Sequence, residues 1–313
     1  MDYEGQICRA PMERSSFMLP VMVGCSYNAC RFCGLFKHLK YRALPFEQVE
    51  AELRRISSMG GNPKKIFLGD GNAFTFETEY LLKLISTVKG YFPGAETFNM
   101  DATVTSILEK SDHELKNLHD AGVRHLYIGI ETGLDDVLHF MQKDHNLAEA
   151  HEAIERLHSA GLIYDAHIMT GIAGRGRGEE NAFALAEFFN ETHPAHVVNF
   201  SLFLHDRVPL YEDMVNGLFV PASELDNLKE ARTLISHIEV DDGHPIKYDG
   251  FHDYISYRVR GTLPKDKEKM LNSLDKAIAE EAEEDRSMPI YSFTDASGKR
   301  FFNEEAGRYI WDL

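Results

Sequence analysis

The sequence predicts an α/β fold: a parallel sheet with right-handed crossovers, arranged as an open, partial (β/α)6 barrel of the TIM type. Short apolar, β-prone runs alternate six times with stretches of helical periodicity between residues 17 and 237. No hairpin signal separates one run from the next, so consecutive strands are expected to be parallel. Six units are too few to close an eight-fold barrel. An N-terminal extension (1–16), the barrel (17–240) and a helical and hairpin C-terminal extension (241–313) that covers or flanks the barrel make up the expected layout.

The first strand is expected over 17–23, followed by a cysteine-rich loop. A helix starts at Pro45, with Phe46, Val49, Leu53, Ile56 and Met59 at helical spacing and Gly60-Gly61 as its stop. The second strand (65–68) runs into the turn Gly69-Asp70-Gly71-Asn72 and a helix near 78–88. The third strand (97–101) leads to a helix over 111–120, where Ser111 and Glu114 have capping-box spacing and Gly122 closes the end. A fourth strand (124–130) precedes helical stretches at 134–141 and 146–160, the second with Asn146 as cap and Gly161 as stop. The fifth strand (164–169) and its helix (178–192), then the sixth (196–202) and a helix over 223–237, complete the series.

In parallel α/β sheets, ligands gather at the C-terminal ends of the strands. The polar residues there are 25–33, 69–72, 101–103, 131–133, 171–174 and 205–207, one group per strand.

At 313 residues and 43% hydrophobic, the chain is long enough for a large core. Its net charge of −17 argues against a nucleic-acid substrate, because Lys64-Lys65 and Arg175/Arg177 are too short to form a basic patch. The acidic run 280–285 reads as the end of a solvated helix. No apolar run has the length of a membrane span, and the N-terminus lacks the pattern of a signal peptide. Four cysteines, three of them clustered, do not make a disulfide framework. These features point to the cytoplasm, where thiols stay reduced.

Cys25, Cys30 and Cys33 lie within nine residues, in a C-x4-C-x2-C pattern. Thiolates this close point to a metal centre. A plant-type ferredoxin site has these spacings but needs a fourth cysteine downstream, and none follows Cys33. A zinc site would draw its fourth ligand from Cys8 or His38. Three thiolates without a fourth suit a 4Fe–4S cluster with one iron open to an exogenous ligand.

With Phe32 between its last two cysteines, the loop resembles that of the radical S-adenosylmethionine (radical SAM) superfamily. The first gap is one residue longer than the common C-x3-C-x2-C. Gly69-Asp70-Gly71 is similar to the turn that binds the methionine amino group. Tyr127-Ile128-Gly129-Ile130-Glu131-Thr132-Gly133, with Lys143 further on, resembles the fourth-strand segment of oxygen-independent coproporphyrinogen oxidase-like proteins. That match implies that Glu131 contacts the cofactor and Lys143 meets its carboxylate. Residues 168–174, with Gly171, resemble the segment that packs near adenine, and 261–277 are similar to the tail of uncharacterised iron–sulfur oxidoreductases. The resemblance implies a 4Fe–4S cluster and S-adenosylmethionine as cofactors. It further implies a 5′-deoxyadenosyl radical acting on a small-molecule substrate, and a reducing partner such as flavodoxin or ferredoxin. The other class open to the sequence is an iron–sulfur or zinc protein with a binding or electron-transfer role and no turnover.

Other residues have two readings. Cys8 is a redox thiol or a small buried hydrophobe. Most histidines sit among charges on predicted helices, while His167 lies within a strand and His205-Asp206-Arg207 follows the sixth. The aromatic segment 247–260 either covers the barrel mouth, with His252, Tyr254 and Tyr257 as substrate contacts, or is a connector. Gly171, Gly174, Gly176 and Gly178 lack the Gly-Lys-Ser/Thr of a phosphate loop. A short hairpin is expected from Met288 on, with Ser297-Gly298 as its turn.

Overall fold

The computed structural model describes residues 8–202 and 204–284 and three short strands, Ile290–Tyr291, Phe302–Asn303 and Arg308–Tyr309. In chain order the principal strands are β1 (Phe17–Pro20), β2 (Lys65–Gly69), β3 (Thr97–Ala102) and β4 (Val123–Glu131). They continue with β5 (Ile163–Thr170), β6 (His196–Ser201), β7 (Ile246–His252) and β8 (Tyr257–Leu263). The long helices are α1 (Phe46–Ser58), α2 (Thr78–Tyr91), α3 (Asp112–Ala121) and α4 (Leu147–Ala160). After these come α5 (Gly178–Thr192), α6 (Glu224–His237) and α7 (Lys267–Glu284).

The chain forms two compact units. The first comprises Met1–Ala29, Leu35–Gly129 and Ala148–Asp165, and the second Cys30–Gly34, Ile130–Leu147 and Ala166–Leu313. The backbone of β4 and of β5 passes from one unit into the other.

In the first unit the hydrogen-bonded order is β1-β2-β3-β4-β5. The β1/β2, β2/β3 and β3/β4 pairs are parallel, as the sequence predicts. β2 reads Lys-Ile-Phe-Leu-Gly and buries every residue after the lysine, as a strand covered on both faces does. Ile66, Leu68, Phe98, Met100, Leu126 and Ile128 are fully buried on one face, as are Leu53 of α1, Leu81 and Val88 of α2 and Leu115 of α3. Each such side chain stabilises the fold by about 2 kcal/mol. The other face carries Phe67, Asn99 and Tyr127. Against it lies the single turn Pro11–Ser15, whose buried Glu13 accepts from Asn99 Nδ2 and Tyr127 OH, both at 2.6 Å.

In the second unit the order is β5-β6-β7-β8, with β6/β7 parallel and β7/β8 antiparallel. The segment 247–260, open between connector and cover in the sequence, is thus largely strand. Its period-two alternation was masked by aromatic and charged residues on both faces.

The expected first strand, 17–23, is split. Pro20 has no N–H to continue a ladder, and after Val21 the backbone leaves β2, so that Met22–Val23 pairs antiparallel with Arg42–Ala43 and brackets the cysteine loop. Near the C-terminus, Phe302–Asn303 and Arg308–Tyr309 form an antiparallel pair, while the Ser297-Gly298 turn lies outside the described residues. Among the described residues, no helix is long and apolar enough to cross a membrane.

Candidate active site

In the first unit the leading half of the cysteine loop rests on the turn after β2. Gly24 and Gly71 both have positive φ, +77° and +50°. A methyl group on Gly71 would stand 2.9 Å from Cys25 Cα and closer still to the Gly24 carbonyl oxygen, so only glycine lets the two backbones meet. Asn72 Nδ2 ties the loop to the strand ends, donating to Ser26 Oγ at 3.2 Å and to Thr103 Oγ1 at 3.0 Å. Asn28, itself at φ +47°, donates to the Phe36 carbonyl at 3.0 Å.

Asp70 is buried and accepts the Cys8 backbone N–H at 3.0 Å, so Cys8 reaches this region through its main chain. Burial pushes the Asp70 carboxyl up to about 6, against the pull of the Cys8 and Gly71 N–H groups. Asp101, at the end of β3, is raised well above the usual carboxylate range by burial, then by the nearby Asp70 and Glu13 carboxylates.

In the second unit Cys30 and Cys33 pack against a bed that includes Phe32, Val137, Met141, Leu202 and Val208. Arg31 fixes this segment. Its N–H donates to the Met141 carbonyl at 2.9 Å and its carbonyl accepts from Leu210 N at 3.1 Å. Its guanidinium lies 5.3 Å from the Phe140 ring centroid and grips Asp213 at 2.9 and 2.5 Å. Arg31 and Asp213 are 182 residues apart, and no sequence signal links them.

Glu131 ends β4 with φ +65°, a left-handed backbone that a glutamate adopts only when its surroundings hold it there. Lys143 Nζ stands 3.4 Å from its Oε1 and 3.7 Å from Asp144 Oδ1. Burial raises the Glu131 carboxyl, and the Lys143 ammonium works against that rise. For Lys143 itself burial opposes the charge, but the Cys30 thiolate and the Glu131 and Asp144 carboxylates outweigh it and hold the ammonium above its ordinary range. Glu131 and Lys143, twelve residues apart, are brought together.

Gly171 closes β5 at φ +83°, where a side chain would meet Asn227 Oδ1 at 2.5 Å. His205 borders Gly34, with its Cδ2 3.6 Å from where a methyl group on that glycine would lie. Burial lowers His205, and Asp206 partly restores it. His167 is held neutral, down to about 4, by burial and then by His196 and Lys143.

The three candidates in 247–260 are packed or hydrogen-bonded within the chain. His252 is fully buried, with Nδ1 2.7 Å from Glu224 Oε1 on α6 and 3.1 Å from Ser201 Oγ. Tyr254 is buried in a single helical turn, and Tyr257 OH meets Ser273 of α7 at 2.8 Å. The opposite face of the same strands carries a row of register partners, Phe200↔Phe251↔Arg258. Phe200 and Phe251 stack at 5.0 Å, Arg258 lies 4.0 Å from the Phe251 centroid, and His167 meets Phe200 edge-on at 6.1 Å. Successive residues of a strand point to opposite faces, so this row and His252 lie on different sides of the sheet.

None of the three clustered cysteines is in a disulfide, and each is half-buried. Among the described residues no three His, Cys, Asp or Glu side chains converge on single-ion geometry. Thiolates that each take a separate iron of a four-iron group need no such convergence. Three clustered thiols are the donor set of an iron–sulfur group, and the Lys143 ammonium, which the Cys30 charge helps to hold, would suit its negative charge.

Residues 19–188 match the family model described as Radical SAM superfamily. The heme chaperone HemW of Bacillus subtilis (strain 168) is 25% identical over 155 residues, which cover 47% of this chain and 41% of that protein. Among solved structures, methylornithine synthase (PylB) is similar with TM-score 0.51 at 15% identity, covering 72% of this chain and 63% of that one. Coproporphyrinogen III oxidase (HemN) from Escherichia coli gives TM-score 0.50 at 14% identity, covering 86% and 52%. The chain spans half or less of the length of the curated relatives it matches.

Proposed function

The chain belongs to the radical SAM superfamily, and from that premise we propose that Cys25, Cys30 and Cys33 hold a 4Fe–4S cluster whose open iron binds S-adenosylmethionine, for radical chemistry on a small-molecule substrate. When bound and reduced, this pair of cofactors supplies a 5′-deoxyadenosyl radical that abstracts hydrogen from the substrate. The chain's own residues bind, orient and shield. The Gly24/Gly71 contact sets the height of Cys25 over the β2 turn. Arg31, clamped by Asp213, holds Cys30 and Cys33 on their apolar bed.

Glu131 offers a carboxylate to the amino or ribose groups of S-adenosylmethionine, and Lys143 offers a cation to its carboxylate. The resemblance of Gly69, Asp70 and Gly71 to a methionine-binding turn, and of the segment at Gly171 to one that packs near adenine, supports the same cofactor. The stacked Phe200 and Phe251 suit a substrate with a planar apolar part. A flavodoxin or ferredoxin in the cytoplasm would supply the electron.

The observation that carries this reading is the three-cysteine loop of a matched family, with none of its thiols in a disulfide. Anaerobically reconstituted, reduced protein should convert S-adenosylmethionine to methionine and 5′-deoxyadenosine. A Cys25→Ala/Cys30→Ala/Cys33→Ala chain that kept a full 4Fe–4S spectrum would end the proposal. An intact cluster without cleavage would favour plain electron transfer.

A further inference from the structure

We infer that Glu230, on α6, is a positioning residue for S-adenosylmethionine: one carboxylate that touches no ligand holds the loop after β4 and the loop after β5 in a common register. The inference rests on the reading above, in which Glu131 and Gly171 face the cofactor.

Glu230 Oε2 accepts the Gly171 N–H at 2.9 Å, and its Oε1 accepts from Asn181 Nδ2, on α5, at 2.7 Å. Asn181 Oδ1 in turn accepts the Thr132 hydroxyl at 2.6 Å and the Gly133 N–H at 3.0 Å, and Thr132 Oγ1 accepts from Leu134 N at 3.2 Å. Thr132 and Gly133 directly follow Glu131. Glu230, Asn181 and Thr132 are 2%, 0% and 0% exposed, so no water substitutes for a lost partner. The packing around this network is close. A methyl group on Gly178 would stand 2.9 Å from Glu230 Oε2, and one on Gly133 would stand 2.5 Å from Leu185 N.

The direction of the bonds is fixed. Thr132 and Gly133 donate to Asn181, Asn181 donates to Glu230, and Gly171 donates to its other oxygen. Both carboxylate oxygens must therefore accept, which an amide cannot do. Burial pushes this carboxyl up to about 7, while the Asn181 and Gly171 donors pull it back. The chain holds an expensive buried acid where an apolar residue would pack, and what that acid secures is the two loops.

Glu230→Gln sets one N–H against another, at Gly171 or at Asn181. In the full-length reconstituted protein it should weaken S-adenosylmethionine binding about tenfold, one hydrogen bond's worth of loop order. It should also speed amide exchange at Gly133 and Gly171 in the cofactor-free chain. Glu230→Gln/Asn181→Asp restores every bond: the new amide donates to the new carboxylate, which still accepts from Thr132 and Gly133. This double variant should bind within about threefold of wild type and recover both protections. It carries the test if the single variant folds poorly. Wild-type affinity in Glu230→Gln, even with lowered thermal stability, or failure of the double variant to recover, overturns the inference. A wild-type chain that binds no S-adenosylmethionine overturns the reading of the site itself, while the exchange rates still judge the network.

Discussion

At Lys143 a buried ammonium faces the Cys30 thiolate, Glu131 and Asp144. A cation there stabilises the more negative, reduced state of a cluster on Cys30. Lys143→Met should lower the cluster's reduction potential by tens of millivolts in a potentiometric titration followed by electron paramagnetic resonance; an unchanged potential would detach Lys143 from the cluster. Glu131→Ala should lose S-adenosylmethionine affinity by about tenfold or more while the 4Fe–4S spectrum persists, as expected when a charged hydrogen-bonding partner is removed. Gly71→Ala drives a methyl group into the backbone of Gly24 and Cys25. The expected outcome is iron loading well below wild type after reconstitution, measured as iron per chain. The cysteine loop stood out in the sequence because its spacing is local, and the strand end at Glu131 because strand and turn signals are local. Arg31 with Asp213, and Glu230 with Asn181, did not, since nothing in one segment names a partner brought to it by the fold.

Helix ends were legible for the same reason. The Ser111/Glu114 capping box forms as read from the sequence, with Ser111 N donating to Glu114 Oε2 at 2.8 Å and Gly122 at φ +113° beyond the last turn of α3. Ser111→Ala should cost about 1 kcal/mol in urea unfolding. The strands were harder. In β7, Tyr248, Gly250 and His252 face one way and Lys247, Asp249 and Phe251 the other, and both sets mix aromatic with polar residues. Only the register against β6, Phe251↔Phe200, shows which set shares a face with His167. The short pair Met22–Val23 with Arg42–Ala43 escaped notice because its two sides are separated by the whole cysteine loop.

Across the whole chain, burial shifts several acids against one another and against histidines. Asp70 is raised to about 6, Glu230 to about 7 and Asp101 well above its usual range, so the folded state holds these protons longer than the unfolded chain does. Their contribution to stability is present at low pH and is lost as pH rises through those values. His167, depressed to about 4, works the other way: its contribution is complete above its ordinary value and lost as pH falls from there. Above roughly pH 6.5 only the acids still slope, so the cofactor-free chain should melt at lower temperature at about pH 8 than at about pH 6.5. Glu230→Gln should flatten that fall; a melting temperature that rises over this range would contradict the assignment. The net charge of −17 deepens the fall through self-repulsion, and added salt should relieve part of it. By itself the sequence determined the α/β class, the run of parallel units and the three thiols, because strand and helix periods, caps and cysteine spacing are written within a few residues. The tertiary structure alone decided which face of β7 and β8 looks where, what clamps Arg31, and that an acid on α6 governs two distant loops. Those depend on contacts between segments far apart in sequence, where burial makes each unpaired donor costly.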